Sequence, residues 1–333
     1  MDSPSPQANT RLRQITRRWI PQILLLSAVL GLLFWLGHNV LENMRARGIQ
    51  AGFEFLKEPA GFDIGETVLA YSPAQPIWHA FLVGLTNTLR VSLPAIVFAT
   101  LLGTLIGLGR LSRTGGLRML CGFLVETLRN IPLLLQLLLW YFVLTSLLPE
   151  TASAWQPMPG MILSQSGLFL PTLLCESGCH WSLPHPEGFG IEGGLALTPE
   201  YLAVLIALTL YTAVFVAEIV RGGIQSVSTG KISAALALGM KPRQVLRHVI
   251  LPLALRTIVP ALTNQYLNLI KNSSLAVAVG YPDLVSVANT SLNQSGRAFE
   301  CIVIVMLVYL CLSLLTALIM NLYNTRVALR GGQ

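Results

Sequence analysis

Six long apolar stretches set what this chain can fold into. They cover about residues 20–41, 79–109, 120–148, 200–221, 252–272 and 299–322. A helix needs roughly 20 mainly apolar residues to cross a bilayer, and every stretch reaches that length. Because lipid offers the backbone no hydrogen-bond partners, such stretches form helices rather than open sheets. The sequence therefore predicts an all-α integral membrane protein with six transmembrane helices.

Composition fits a membrane setting and argues against a nucleic-acid partner. The 333 residues are 53% hydrophobic and 11% charged, whereas soluble domains contain about 25% charged residues. The formal net charge is +7, but no basic stripe with interleaved stacking aromatics accompanies it. We expect membrane lipid around the chain and no nucleic acid bound to it.

The first apolar stretch has two interpretations. Four arginines precede it within residues 11–18, as in a signal peptide. The uninterrupted run over residues 23–40 is longer than the 7 to 15 residues of a typical signal core, and no clear cleavage site follows. These features favour a retained transmembrane anchor.

Basic residues concentrate on one side of the predicted membrane. With the N-terminus inside, the inner segments hold fourteen of the 22 Lys and Arg, and the outer segments hold four. Cytoplasmic loops collect Lys and Arg, so both termini are expected in the cytoplasm. The predicted segments are a cytoplasmic tail at 1–19, an extra helix with a periplasmic segment at 20–78, a transmembrane domain at 79–322 and a cytoplasmic tail at 323–333. Within that domain, 149–199 is a periplasmic insertion and 222–251 a cytoplasmic loop.

The insertion contains no Lys or Arg but carries two cysteines four positions apart, Cys175 and Cys179. They would close a small disulfide loop in an oxidising compartment, or remain free thiols. A metal site with His180 and His185 is a third reading, but the spacing matches none of the usual zinc patterns. The sequence does not decide between a disulfide and two free thiols, and no metal is expected.

Several catalytic motifs are missing. No GxxxxGK[ST] phosphate loop, HExxH or GxSxG occurs. We therefore expect no enzyme activity, no nucleotide hydrolysis by this chain and no cofactor bound to it. Glu126, Glu218 and Glu300 lie in or beside predicted spans, two of them at the cytoplasmic edge, so the chain lacks a series of midmembrane carboxylates for proton coupling.

Charged groups beside the spans form two similar pairs. Glu126 precedes Arg129 and Glu218 precedes Arg221 by three positions, which places each pair on one side of a helix. Structural ion pairs at the inner mouth are the simpler interpretation, and direct solute contact is the alternative. Arg90 lies deeper in the second stretch, where it either snorkels or pairs, or attracts an anionic group in a cavity.

The fifth stretch carries a polar row. It consists of Asn264, Gln265, Asn268, Lys271 and Asn272. Asn264, Asn268, Lys271 and Asn272 recur at spacings of four, three and one, so one helical face is polar over more than two turns. A lipid-facing helix would not tolerate this face, so it lines a translocation path or forms interhelical hydrogen bonds. Asn264, Asn268, Lys271, Asn272 and Arg90 are the candidate path residues.

Residues 233–252, SAALALGMKPRQVLRHVILP, interrupt the apolar pattern with a basic segment. We predict a short helix over 233–238 and a second over 243–249. Gly239 would permit a sharp turn between them, and Pro242 suits the first turn of the second helix. The segment is then a helix–turn–helix that protrudes on the cytoplasmic side.

This segment resembles the EAA motif of permease subunits of bacterial ATP-binding-cassette (ABC) importers. That motif reads EAA, three residues, Gly, nine residues and then I-x-L-P. Here Ser233, Ala234 and Ala235 precede Gly239 at the same spacing, and VILP follows at 249–252. Ser233 departs from the family's Glu, which puts the strength of the coupling contact in question.

Three further stretches resemble the polar amino acid uptake branch, the family of histidine, glutamine and general L-amino acid permeases. They are ETLRNIPLLLQLLLWY at 126–141, AEIVRGGIQSV at 217–227 and residues 236–275, within a resemblance that covers about 80–322. The resemblance implies a type I ABC importer permease fold in a bacterial inner (plasma) membrane. The extra helix and long insertions are similar to those of the general L-amino acid subgroup.

The resemblance also implies partners. A cytoplasmic ABC ATPase dimer would bind Mg-ATP and grip the coupling helix through Ser233, Ala234, Ala235, Gly239, Met240 and Arg243. A second permease subunit, identical or different, would complete the path, and a periplasmic amino-acid-binding protein would deliver solute. The alternatives are an ion-driven secondary transporter and a non-transporting membrane sensor of a binding protein.

Overall fold

The computed structural model describes residues 6–46, 52–174, 180–187 and 190–330. The chain divides into two compact units, residues 1–55 and 56–333. The first unit contains helix α1, Pro6–Ala46. Its segment Trp19–Val40 is long and apolar enough to cross a membrane and exposes its apolar side chains.

The second unit is a helical bundle. Its helices are α2 (Ile77–Arg110), α3 (Gly115–Asn130), α4 (Leu133–Phe142), α5 (Pro199–Gln225), α6 (Thr229–Ala237), α7 (Pro242–Val245), α8 (Leu251–Asn272), α9 (Leu284–Ser295) and α10 (Ala298–Arg330). π-helical turns extend α4 over Val143–Leu147 and join α7 to α8 over Leu246–Ile250. A 3₁₀ segment, Ser273–Val279, follows α8.

The helices confirm an all-α membrane architecture of the predicted kind. In the described residues, five helical segments are long and apolar enough to span a membrane. The pair formed by Gly115–Asn130 and Leu133–Leu147 supplies a sixth span if it is counted as one.

That third span is broken, whereas the sequence predicted one continuous helix over 120–148. Its two halves meet at a bend of 102°. Pro132 has no N–H to donate and disfavours the helical conformation of the residue before it. Ile131 accordingly adopts φ −91° and ψ 124°. The RNIP sequence therefore ends α3, and a new helix begins at Leu133.

The insertion between α4 and α5 forms β-structure that the sequence analysis did not predict. Its strands are β1 (Trp155–Met158), β2 (Met161–Ser164), β3 (Gly167–Leu170), β4 (Thr172–Leu174), β5 (His180–Ser182), β6 (His185–Glu187), β7 (Gly190–Glu192) and β8 (Leu195–Leu197). One antiparallel sheet has the order β1-β2-β3-β8, and β4-β5 and β6-β7 form separate hairpins. Ile162 and Phe169 face each other across β2 and β3, and both are buried. Cys175 and Cys179 lie outside the described residues, so their redox state stays a prediction.

A strap, which we define as residues 56–76, precedes α2. Backbone hydrogen bonds close it on itself: Ala60 donates to the carbonyl of Gln75 at 2.8 Å, and Gly61 donates to that of Pro73 at 2.9 Å. Phe62 and Ile64 are buried. The strap is therefore an ordered loop with buried apolar side chains.

Close packing of α2 on α5 forms the centre of the bundle. A Cβ atom added at Gly103 would lie 2.5 Å from the Ala213 carbonyl oxygen, and one at Gly107 would lie 2.7 Å from that of Ala217. Only glycine permits this approach of the two backbones. Small residues at such spacing are typical of tightly packed membrane helices.

Candidate functional site

A cavity of about 300 Å³ lies between α5 and α8. It is lined by Tyr211, Thr212, Phe215, Gln265, Asn268, Leu269 and Asn272. Since a water molecule takes about 30 Å³ of liquid volume, the cavity has room for a small organic solute. Its position between two membrane-spanning helices makes it the leading candidate site.

Polar residues on one face of α8 form one wall of the cavity. Gln265, Asn268 and Asn272 follow one another at spacings of three and four, so they share that face. The polar row thus borders a cavity at Gln265, Asn268 and Asn272. Asn264 and Lys271 are exposed and do not line it.

The α5 wall was missed by sequence reasoning. Tyr211, Thr212 and Phe215 complete the cavity, and the Tyr211 and Phe215 ring centroids are 5.0 Å apart. The Tyr-Thr pair inside an otherwise apolar stretch, LTLYTAVF, was the available signal. Without the contact between α5 and α8, that pair reads as an ordinary buried position.

The chemistry of the lining is polar and uncharged. Within the described parts of the chain, the side-chain amides of Gln265, Asn268 and Asn272 have no hydrogen-bond partner. Each amide offers two donor hydrogens and one acceptor oxygen. The cavity can therefore hydrogen-bond both an ammonium and a carboxylate group of a solute.

Glu218 forms one cluster of ion pairs, which we call the Glu218 clamp (Arg110, Glu218 and Arg221). Its Oε2 accepts hydrogen bonds from Arg221 Nε at 3.0 Å and Nη2 at 2.8 Å. Its Oε1 pairs with Arg110 Nη1 of α2. The predicted pair on α5 is therefore present, and Arg110, which sequence reasoning did not assign to it, ties the pair to α2.

The other predicted pair does not form. Glu126 is exposed, and in the described residues it makes no ion pair with Arg129. The Arg129 guanidinium instead lies over the Phe215 ring, 5.5 Å from its centroid. A cation–π contact of this kind replaces the ionic partner and places Arg129 beside the aromatic wall of the cavity.

Arg90 belongs to a second cluster, the Glu66 clamp (Glu66, Arg90 and Thr198). Glu66 of the strap pairs with Arg90 Nη1 of α2 through Oε1. Its Oε2 accepts a 2.7 Å hydrogen bond from the hydroxyl of Thr198, the N-cap residue of α5. The Arg90 guanidinium also lies 4.9 Å from the centroid of the Tyr201 ring. Of the interpretations considered for Arg90, pairing is the one realised, and Arg90 does not line the cavity.

The predicted helix–turn–helix is present between α5 and α8. After α6, Gly239 takes φ +81°, and α7 begins at Pro242. Gly239 N–H donates to the Leu236 carbonyl at 2.9 Å, and Met240 N–H donates to that of Ala235 at 3.2 Å. Glycine adopts this left-handed conformation without a Cβ penalty, so the turn sits where the sequence placed it.

The α6–α7 turn, residues 229–245, presents an exposed surface. Ser233, Ala234, Gly239 and Arg243 are exposed, and Met240 is half-buried. Leu238 is 84% exposed. Ala235, in contrast, is buried within its own chain and does not belong to this surface.

A polar cavity between two spanning helices, which are themselves joined by an exposed helix–turn–helix, defines a membrane transport protein of the permease class. The chain belongs to the family described as "Binding-protein-dependent transport system inner membrane component", whose model matches residues 95–329. It has the type I ABC importer permease fold. This family implies an inner-membrane location and, in general terms, an ATPase and a binding protein as partners.

Two related permeases are similar in sequence to this chain over nearly its whole length. It is 40% identical to the putative amino-acid ABC transporter permease protein YhdX of Escherichia coli K12, over 94% of both chains. It is 38% identical to the general L-amino acid transport system permease protein AapQ of Rhizobium johnstonii, over 92% of this chain and 91% of the relative. A crystal structure of an amino acid ABC transporter with histidines is 26% identical, with a TM-score of 0.56, over 75% of this chain and 94% of the other.

Proposed function

We propose that this chain is the permease subunit of an ATP-driven importer of amino acids, and that the cavity between α5 and α8 is its solute site. The observation that carries the proposal is the set of three amide side chains that face that cavity and have no hydrogen-bond partner among the described residues. The names of the relatives support amino acids as cargo. YhdX is a putative amino-acid permease and AapQ belongs to a general L-amino acid system.

The lining supports a broad substrate range. All amino acids share an ammonium and a carboxylate, and neutral amides hydrogen-bond both. No carboxylate, ammonium or guanidinium is among the residues that line the cavity. A fixed charge would favour side chains of opposite sign, so its absence from this lining suits many L-amino acids rather than one charged class.

The α6–α7 turn is the proposed contact for a cytoplasmic ABC ATPase dimer, which binds the ATP and Mg²⁺ of the transport cycle. Exposed Ser233, Ala234, Leu238 and Arg243 form the contact surface. Such a combination of an exposed leucine and a cation suits an apolar cleft with an acidic rim. We expect both termini in the cytoplasm and the strap and the β-structured insertion on the periplasmic side, because Lys and Arg concentrate in the segments assigned to the inside. The binding protein would dock on the periplasmic side.

The chain connectivity suggests how the ATPase acts on the solute site. The turn joins the end of α5 to the start of α8, and these helices line the cavity from opposite sides. Between the turn and the cavity, Gly223 packs so closely on Ile258 that an added Cβ would lie 2.3 Å from Ile258 Cγ1. Movement of the turn about this contact changes the spacing of α5 and α8 at the cavity. Such a change in spacing would open the cavity to one side of the membrane and then to the other, between this subunit and a second permease.

Reconstituted vesicles test the proposal. The complete complex of this chain, the second permease, the ATPase dimer and the binding protein should take up labelled amino acids only when ATP is supplied on the ATPase side. Competition with a panel of unlabelled amino acids then defines the range. Uptake by this chain alone, driven by an ion gradient, would establish a secondary transporter instead. Binding-protein docking without any uptake would establish a sensor.

A further inference from the structure

Two clamps tie α2 to α5, one at the start of α5 and one near its end. The Glu66 clamp joins Arg90 of α2 to Thr198 at the start of α5. The Glu218 clamp joins Arg110 at the end of α2 to Glu218 near the end of α5. Arg90 and Arg110 are 20 residues apart, which corresponds to about 30 Å along a helix. The clamps therefore hold the two helices together over most of the bilayer thickness.

Between the clamps the two backbones are in direct contact. Gly103 and Gly107 leave no space for a Cβ against Ala213 and Ala217. At the Glu66 end, the Tyr201 hydroxyl donates a 3.3 Å hydrogen bond to the Arg90 carbonyl. Close-packed interiors change between discrete arrangements rather than deform gradually. We therefore treat α2 and α5 as one body.

The contact between α5 and α8 is different, because it contains the polar cavity. On the α8 side its wall consists largely of amides that have no partner in the part of the chain that the structure describes, and Asn268 is exposed. Outside the close contact of Gly223 with Ile258, fewer packed groups resist movement at the cavity. The turn that joins α5 to α8 is also exposed. Movement of α8 against a rigid α2–α5 body is thus the least costly way to change the cavity.

Glu66 completes this body from outside the helices. It comes from the strap, and its carboxylate is only 11% exposed. One oxygen pairs with α2 and the other with the N-terminal end of α5, where the helix dipole also favours a negative charge. Asn87 Nδ2 of α2 donates a 2.8 Å hydrogen bond to the Glu66 carbonyl oxygen as well. Removal of the carboxylate leaves a largely enclosed Arg90 cation without its ionic partner.

We propose that Glu66 is a positioning residue for transport: it fixes the start of α5, which lies farthest from the α6–α7 turn, to the middle of α2, so that a force on the turn moves α8 against a rigid body. This inference rests on the proposed function. Without Glu66, α5 shifts relative to α2, and part of the movement is lost before it changes the cavity. ATP is then hydrolysed without transport.

The ratio of amino acid taken up to ATP hydrolysed tests the proposal in the reconstituted complex. Glu66→Gln preserves the shape of the side chain and removes its charge. We expect hydrolysis to continue and the ratio to fall about fivefold, the lower end of coupling between distant sites. Glu58→Gln is the matched control, because Glu58 is an exposed carboxylate of the same strap; it should leave the ratio unchanged.

A double-mutant cycle with Arg90→Gln assigns the effect to the pair. The double variant should have the ratio of either single variant, because each change breaks the same interaction. Multiplied effects in the double variant would overturn the proposal. So would a normal ratio in Glu66→Gln, or uptake and hydrolysis that fall in proportion. A wild-type complex that takes up nothing with ATP would instead refute the proposed function, before any variant is compared.

Discussion

Gln136 Nε2 donates hydrogen bonds to the carbonyl oxygens of Leu128, at 2.8 Å, and Ile131, at 3.0 Å, across the bend of the third span. These carbonyls belong to the last turn of α3 and to the residue after it, where no helical N–H follows. Pro132 breaks the helix, and a side chain one turn into α4 hydrogen-bonds the carbonyls that the break leaves free. A sharp bend in an apolar span is thereby stabilised from within the chain.

Gln136→Leu should therefore destabilise the protein. Gln136 is only 2% exposed, so leucine leaves two carbonyl groups without their partner in a setting that excludes water. We expect a loss of about 1–3 kcal/mol in the free energy of unfolding, measured by thermal unfolding in detergent. Leu134→Ala, at a more exposed position of the same helix, is the control and should cost less. Equal stability of wild type and Gln136→Leu would show that the bend does not depend on this side chain.

The bend also shows how much of the fold can be predicted from the sequence. The apolar stretches predict the spanning helices, and the local Gly and Pro residues predict the turn at Gly239. Proline in the RNIP segment is a local signal for a break, which the prediction of one helix over 120–148 did not use. Local patterns therefore predicted elements better than they predicted interruptions within an element.

Contacts between distant segments could not be predicted. Glu66 and Thr198 are 132 positions apart, and no periodicity brings a strap carboxylate to the cap of α5. Arg110 was read as one of many inner basic residues, since nothing local links it to Glu218. For the cavity, the sequence supplied the α8 face and missed the α5 face, because only packing shows which apolar helix a polar row meets.

Asn268→Leu tests the solute site. The change removes an amide that faces the cavity and keeps the number and branching of the side-chain heavy atoms. Loss of one hydrogen-bonding group to a solute costs about 1–3 kcal/mol, so the KM for uptake should rise about tenfold in the reconstituted complex. Asn264→Leu is the matched control, since Asn264 lies on the same helix without lining the cavity. A normal KM for Asn268→Leu would assign the amide to packing.

Gly239→Ala tests the α6–α7 turn with the smallest possible change. An added Cβ would meet nothing within 4 Å, so the effect is conformational: φ +81° costs a non-glycine residue about 1–2 kcal/mol. We expect the turn to shift and ATP-driven uptake to fall severalfold, with membrane insertion unchanged. Gly230→Ala in α6, also in open space and without a positive φ, should keep full uptake. Loss of uptake in both variants would point to a general effect of alanine rather than to the turn.

Covalent links between helices test which of them move. In a chain whose native cysteines are replaced, Arg110→Cys and Glu218→Cys place thiols on α2 and α5, at positions whose side chains meet in the Glu218 clamp. Thr100→Cys and Tyr266→Cys do so on α2 and α8, where the two hydroxyls lie 2.8 Å apart. Each pair is joined with a cleavable bifunctional thiol reagent, and uptake is measured before and after reduction. If α2 and α5 form one body, linking them should preserve the uptake of the unlinked variant, whereas the link from α2 to α8 should abolish uptake until it is reduced. The reverse pattern would mean that α5 moves along α2 and that α8 stays fixed.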